Sequence, residues 1–157
     1  MFVPRDPRFQ EILELATAAV RGGLSDRQRP RWRELVSQLL GDLRQDGGPG
    51  SDRRKHLRAA AELEVDILEP DEMASLATST IGSGGLSLRV AEVVPPGTVL
   101  ELSIQLEHRK VPLLVTAQVV WSKPGELGAS FVDLLQADRE MLEGAAVQAL
   151  CAQAALE

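Results

Sequence analysis

The hydrophobic pattern changes period once along the chain. In the first forty-five residues Phe9, Ile12, Leu13, Ala16, Ala19 and Val20 recur at helical spacing. Asp6 is placed to cap that helix, with Pro7 at its first position, where a missing N–H is tolerated. Gly22 and Gly23 supply a stop. A second helix is predicted from near Pro30 to Arg44, with Trp32, Leu35, Val36, Leu39, Leu40 and Leu43 as its apolar stripe. Ser25 and Gln28 have the spacing of a capping box, which would leave Pro30 inside the helix. Either the helix begins nearer Arg29 or it kinks at the proline. Two short amphipathic helices joined by a glycine turn form a helical hairpin, with apolar surface to bury on the chain itself or on a partner.

Residues 46–52, DGGPGSD, read as a flexible linker by composition. Past them the period becomes two: Leu63, Val65 and Ile67 alternate with Glu62, Glu64 and Asp66. Strand-like segments follow at 73–81, 86–90, 100–106, 111–121 and 127–134, broken by PPG and KPG turns at 95–97 and 123–125. Trp121 ends a buried-strand run and is expected in the core. Helical spacing returns over 137–155, with Met141, Leu142, Ala145, Leu150 and Cys151 on one side. The expected fold is mainly β with flanking helices: a six-stranded antiparallel barrel, an N-terminal helical hairpin and a C-terminal helix. The corresponding division is a hairpin at 1–45, a linker at 46–52, and a barrel with its helix at 53–157.

Composition narrows the function. The lone cysteine, Cys151, cannot form an internal disulfide, and its setting ALCAQAAL is that of a small core residue. No apolar run reaches the roughly 20 residues that span a bilayer, and the start has no secretory pattern, so a cytoplasmic location is expected. The net charge of −6 hides an asymmetry, since residues 1–58 carry 12 basic and 8 acidic side chains and residues 59–157 carry 5 and 15. Such acidity argues against DNA or anionic membranes as partners and leaves room for a local site that takes a compact polyanion. Arg27, Arg29, Arg31 and Arg33 surround Trp32, but their alternation spreads the charge around the helix.

Two segments can build such a site. Residues 52–58 read DRRKHLR, and residues 80–88 read TIGSGGLSL. An arginine presents a planar fork of donors suited to phosphate and guanine edges, and glycines let backbone come close to a ligand. The glycines are followed by a strand, LSLRV, which excludes a dinucleotide-binding turn that needs a helix there. Two histidines and one cysteine make no metal set, and no nucleophile elbow accompanies Ser83, His56 and Asp52, so neither metal nor catalytic residues are assigned.

In order, the chain shows an Arg-x-x-x-Arg entry (Arg54, Arg58), a first strand, and a strand-entry motif GGLSL at 84–88. VPPGTVLELSIQL, VTAQVVW, ELGASFVDL and a closing helix complete the series. Over residues 52–147 this resembles the PilZ domain, and is most similar to the divergent PilZ-like domains of myxobacteria. The resemblance implies a six-stranded barrel that receives cyclic di-GMP, with two arginines clamping the ligand and a D/N-x-S-x-x-G motif contacting a guanine edge. Arg54 and Arg58 match the first motif, with Arg53 beside them. Gly85 matches the closing glycine of the second, Thr80 stands at the Asp/Asn position and Gly82 at the serine position, with Ser83 next to it. An Asp carboxylate can accept two guanine hydrogen bonds where Thr offers one hydroxyl, and losing a charged partner costs about 1.5–3 kcal/mol. Two roles therefore stay open: a cyclic di-GMP receptor or adaptor regulating motility or surface behaviour, and an interaction module that no longer binds the nucleotide. In either role a partner protein would dock on the hairpin or the barrel face, and a homodimer is compatible with the apolar stripe.

Overall fold

The order of elements is α1 (Pro7–Arg21), α2 (Gln28–Asp46), β1 (Arg58–Ala60), β2 (Glu64–Glu69), β3 (Met73–Gly82), β4 (Gly85–Arg89), β5 (Val99–Gln105), β6 (Leu113–Lys123), β7 (Glu126–Val132) and α3 (Gln136–Leu156). The computed structural model describes residues 3–46, 57–107 and 109–156. The linker reading at 46–52 therefore lies outside the described residues except for Asp46, which ends α2.

Six strands close an antiparallel barrel in the order β3-β2-β5-β6-β7-β4, with β4 returning to β3. The seventh, β1, was not expected as a strand. It is three residues long and borders the last turn of β3, Arg58 opposite Gly82 and Ala60 opposite Thr80. Period-two burial drives the barrel: Val65 and Ile67, Leu86 and Leu88, Leu100, Leu102 and Ile104, and Val115, Ala117 and Val119 all point inward and are buried. Thr78 is also fully buried. Its hydroxyl donates to the Ala61 carbonyl (2.6 Å) and accepts from the Leu63 amide (2.8 Å), so the β1–β2 connection is tied to β3 without an orphaned polar group.

The helices form a second core. Phe9, Ile12, Ala16 and Ala19 of α1, Trp32, Leu35, Val36 and Leu39 of α2, and Ala146, Val147, Leu150 and Cys151 of α3 bury together with Leu57 and Ala59 beside β1. The hairpin thus spends its apolar stripe on its own chain. Helix α3 is apolar on two sides, because Leu142 and Ala145 belong to the barrel core instead. Burial pushes the Cys151 thiol up to about 11, which leaves it a packing residue.

The capping box forms: the Gln28 amide donates to Ser25 Oγ (3.2 Å) and the Ser25 amide donates to Gln28 Oε1 (2.9 Å). Pro30 then sits at the third residue of α2, in the first turn, where an N–H would have no helical carbonyl to pair with. Three of the four arginines around Trp32 are engaged in ion pairs within the helical layer. Arg31 bonds Glu11 of α1 through two nitrogens (2.6 and 3.0 Å), and Arg29 and Arg33 reach the buried Glu140 of α3 at 2.8 and 3.8 Å. Charge that could have suggested a nucleic-acid helix holds the three helices in register.

Helices α1 and α3 approach closely at Gly144, where a Cβ would stand 2.9 Å from the Ala16 carbonyl and 3.2 Å from the Ala19 Cβ. Gly144→Ala should therefore destabilise the protein by roughly 1–3 kcal/mol through overpacking, although alanine is the better helix former. Gly41→Ala, in α2 with open space around it, should stabilise by up to about 1 kcal/mol. Paired urea titrations check both signs.

Glu143 on α3 accepts from the Trp32 indole N–H at 3.4 Å. Burial holds its carboxyl above the ordinary carboxylate value, against the opposing pull of that bond and of Arg33. The folded state thus keeps this proton to higher pH than the unfolded chain, and stability falls as pH rises through that window. Glu143→Gln keeps the acceptor and cannot ionise. Its melting temperature should exceed the parent's at neutral pH, and the gap should close as pH falls toward about 4.

Candidate functional site

Two bulges build the site. In β3 the pairing steps from Thr78 opposite Leu88 to Thr80 opposite Ser87, so Ser79 is an extra residue. A one-residue insertion turns the following side chain to the other face. Thr80 accordingly points outward beside Ser79 instead of into the barrel. In β6 the pairing steps from Val119 opposite Ala129 to Trp121 opposite Gly128, and Val120 is the extra residue. Trp121 therefore leaves the core it was expected to join and is 38% exposed on the outside.

These corrections align one outward row across four strands: Thr80 on β3, Ser87 on β4, Gly128 on β7 and Trp121 on β6. Gly128 makes room for the indole. A Cβ there would run into Trp121 Nε1 and Cε2. The next outward row, Arg89, Glu126 and Lys123, brings charge to the same face. Lys123 Nζ lies 5.8 Å from the Trp121 ring centre and 3.5 Å from Glu126 Oε1. Arg89 is held by Glu62 at 2.7 Å.

Between these rows lies a cleft of about 300 Å³, walled by Trp121 and Lys123 on one side and by Arg58 and Thr80 on the other, with Ser87, Gly128 and Glu126 between. Its hydroxyls are linked. Thr80 Oγ1 and Ser87 Oγ are 2.7 Å apart, Ser87 Oγ and Ser79 Oγ are 2.6 Å apart, and Ser79 Oγ donates to Glu126 Oε2. That last bond, with Lys123 and Arg89 nearby, holds the Glu126 carboxyl below the usual carboxylate range despite partial burial. Two other clefts, about 260 Å³ each, are lined by Glu101, Asp133 and Asp138 and by Asp71 and Glu92, without a basic side chain. Of the three, the cleft at Arg58 has the charge to hold an anion.

The structure thus brings Arg58 and Thr80 to one cleft from positions 22 apart in sequence. Gly82, Ser83 and Gly85 do not line it. Gly82 faces β1 so closely that a Cβ would meet the Leu57 carbonyl, and Gly85 lies against the Ala129 carbonyl. Ser83 is fully buried. Its carbonyl accepts from Arg139 of α3 at 3.2 Å, and its hydroxyl has no hydrogen-bond partner among the described residues. Arg53 and Arg54 lie outside the described residues. Ser79, Ser87, Trp121, Lys123, Glu126 and Gly128 were not read from sequence as site residues. The one available signal was the KPG turn, which folds Trp121 back onto Gly128. Among the described residues no cluster of three or more His, Cys, Asp or Glu is placed to hold a metal ion, and no helix is long and apolar enough to cross a membrane.

The fold, rather than the cleft, has counterparts among known proteins. The inhibitor of motility MotI/DgrA of Bacillus subtilis is 22% identical, with a TM-score of 0.52 over 66% of this chain and 52% of that one. The present chain thus spans about half its length. The PilZ domain of CeSA from a cellulose-synthesizing bacterium is 17% identical, with a TM-score of 0.41 over 54% of this chain and 89% of that one. A Xanthomonas campestris protein described as a tetrameric PilZ domain self-assembled via a helical bundle is 16% identical, with a TM-score of 0.43 over 99% of this chain and 85% of that one. No curated protein is matched by the sequence. The PilZ domain family model matches residues 52–148, a span that opens six residues before Arg58, takes in all seven strands, and ends within α3. With the closed barrel, the paired leading helices and the closing helix in place, the chain belongs to the PilZ domain family.

Proposed function

We propose that this chain is a PilZ-type receptor or adaptor for cyclic di-GMP that regulates motility or surface behaviour. The observation that carries the reading is the convergence of Arg58 and Thr80 on one cleft with an aromatic wall opposite them. PilZ domains are regulatory binding modules, and this cleft supplies what a compact cyclic dinucleotide needs. Arg58 offers a guanidinium to a phosphate or a guanine edge. Trp121, braced over Gly128, offers a face on which a base can stack. Thr80 and Ser87 offer hydroxyl oxygens between them. By the family pattern Arg54 is the first arginine of the clamp and Arg53 its neighbour, while Gly82, Ser83 and Gly85 shape the strand entry behind it. Output passes to a partner protein, or to a second copy of the chain, through the hairpin at 1–45 or a face of the barrel unit at 53–157. The solved inhibitor of motility from Bacillus subtilis makes motility the first output to examine.

Titration calorimetry with cyclic di-GMP tests the reading. The parent should bind in the micromolar range. Arg58→Ala should weaken binding by roughly ten- to a hundredfold, the value of a charged hydrogen bond. Trp121→Ala should cost about 1–3 kcal/mol if a base stacks there. A parent that takes up no ligand at millimolar concentration would instead make the barrel an interaction module.

A further inference from the structure

Resting on that receptor reading, we infer that Glu126, Ser79 and Ser87 form a directed relay that makes the Thr80 hydroxyl a pure hydrogen-bond acceptor toward the cleft, selecting a base edge that presents N–H donors.

The direction follows from counting protons. An ionised carboxylate only accepts, so Ser79 must give its single hydroxyl proton to Glu126 Oε2. Ser79 then has none left for Ser87, and their 2.6 Å contact requires Ser87 to donate. The Ser87 proton is thereby committed, and the 2.7 Å contact with Thr80 requires Thr80 to donate in turn. The Thr80 oxygen is left with lone pairs alone for anything in the cleft. Hydrogen bonds in such a chain also polarise one another, which strengthens the last acceptor.

The relay exists because of the β3 bulge. Ser79 and Thr80 both face Ser87 only where two residues of β3 oppose one of β4. Glu126 reaches Ser79 from the first position of β7, while its other oxygen faces Lys123 at 3.5 Å. A threonine at this position would ordinarily donate or accept as its hydroxyl turned. Wired to Glu126, it presents lone pairs alone, as a carboxylate would, though on one oxygen in place of two. A guanine edge with adjacent N–H groups fits that oxygen. The adenine edge sets a ring-nitrogen lone pair next to its single amino donor and fits less well. Ser79, Ser87 and Glu126 are positioning residues and Thr80 makes the contact.

The test is the ratio of affinities for cyclic di-GMP and cyclic di-AMP, measured by calorimetry on the intact chain. The parent should prefer the guanine ligand. Ser87→Ala releases the Thr80 proton and should narrow that preference by roughly three- to tenfold, the value of one neutral hydrogen bond. Adding Thr80→Asp to Ser87→Ala should restore it. Arg58→Ala should weaken both ligands. Glu126→Ala, at a side chain 26% exposed, removes the acceptor that commits the Ser79 proton, should narrow the ratio as Ser87→Ala does, and decides the matter if the latter variant fails to fold. An unchanged ratio in a folded relay variant that still binds, or equal parental affinity for the two ligands, overturns the relay and leaves the receptor reading standing. A parent that binds neither dinucleotide overturns both.

Discussion

Helix α3 is apolar on two sides, and the rest of the structure is arranged around that fact. One side supplies Leu142 and Ala145 to the barrel, the other Ala146, Val147, Leu150 and Cys151 to the helical layer. A helix buried this way cannot shift relative to either core without exposing apolar surface at about 25 cal/mol per Å². Its polar residues then fix the strand that carries Arg58. Gln153 donates to the Ala60 carbonyl at 2.9 Å, and Arg139 donates to the Ser83 carbonyl at 3.2 Å, so both ends of the short β1–β3 pairing are held from the same helix. Arg109 ties the loop after β5 to this assembly by donating to the Val20 carbonyl at the end of α1 (3.3 Å). The leading helices thereby stabilise the anchor point of the basic segment, although they lie outside the span that defines the family.

The cleft depends on a different constraint, register. A barrel wall alternates inward and outward residues strictly, and an uninterrupted β3 and β6 would have buried Thr80 and Trp121. One inserted residue in each strand reverses both. The reversal is compatible with the core because Ile81, after the first bulge, and Val119, before the second, still point inward and are fully or almost fully buried. The same device that disturbs the ladder thus collects a hydroxyl and an indole on one outer face.

Elements with regular period were legible from the sequence. The stripe of α1 from Phe9 to Val20, the stripe of α2, and the alternation of Leu100, Leu102 and Ile104 are consequences of 3.6- and 2-residue periods, and the structure has them. The resemblance to the PilZ domain stood on the order of motifs and is upheld by the family match. What depends on counting between strands was not legible. Nothing local in VTAQVVW marks Val120 as the inserted residue, so Trp121 read as core. Strand β1 has no sequence signature because three residues carry no period, and it exists through pairing with β3 and burial of Leu57 and Ala59 under the helices. Glu126 is 46 residues from Thr80, and only barrel closure brings it to the same cleft.

Charge restricts what the cleft can accept. The chain carries a net −6, with the balance over residues 59–157 at −10 from 5 basic and 15 acidic side chains. An extended polyanion such as duplex DNA would lie across much of that surface and be repelled by it. A small dianion seated between Arg58 and Lys123 samples mainly its immediate neighbours, because charges farther than a Debye length, about 8 Å at physiological salt, are largely screened. Among the residues that line the cleft the acid, Glu126, is already turned toward Ser79 and Lys123. The paired acid therefore subtracts little from the attraction of the basic side chains, while its hydrogen bond still orients the hydroxyls of the cleft. Net charge and local charge are thus separate quantities here: a compact anion would meet the basic side chains of the cleft, an extended polyanion the acidic surface around it.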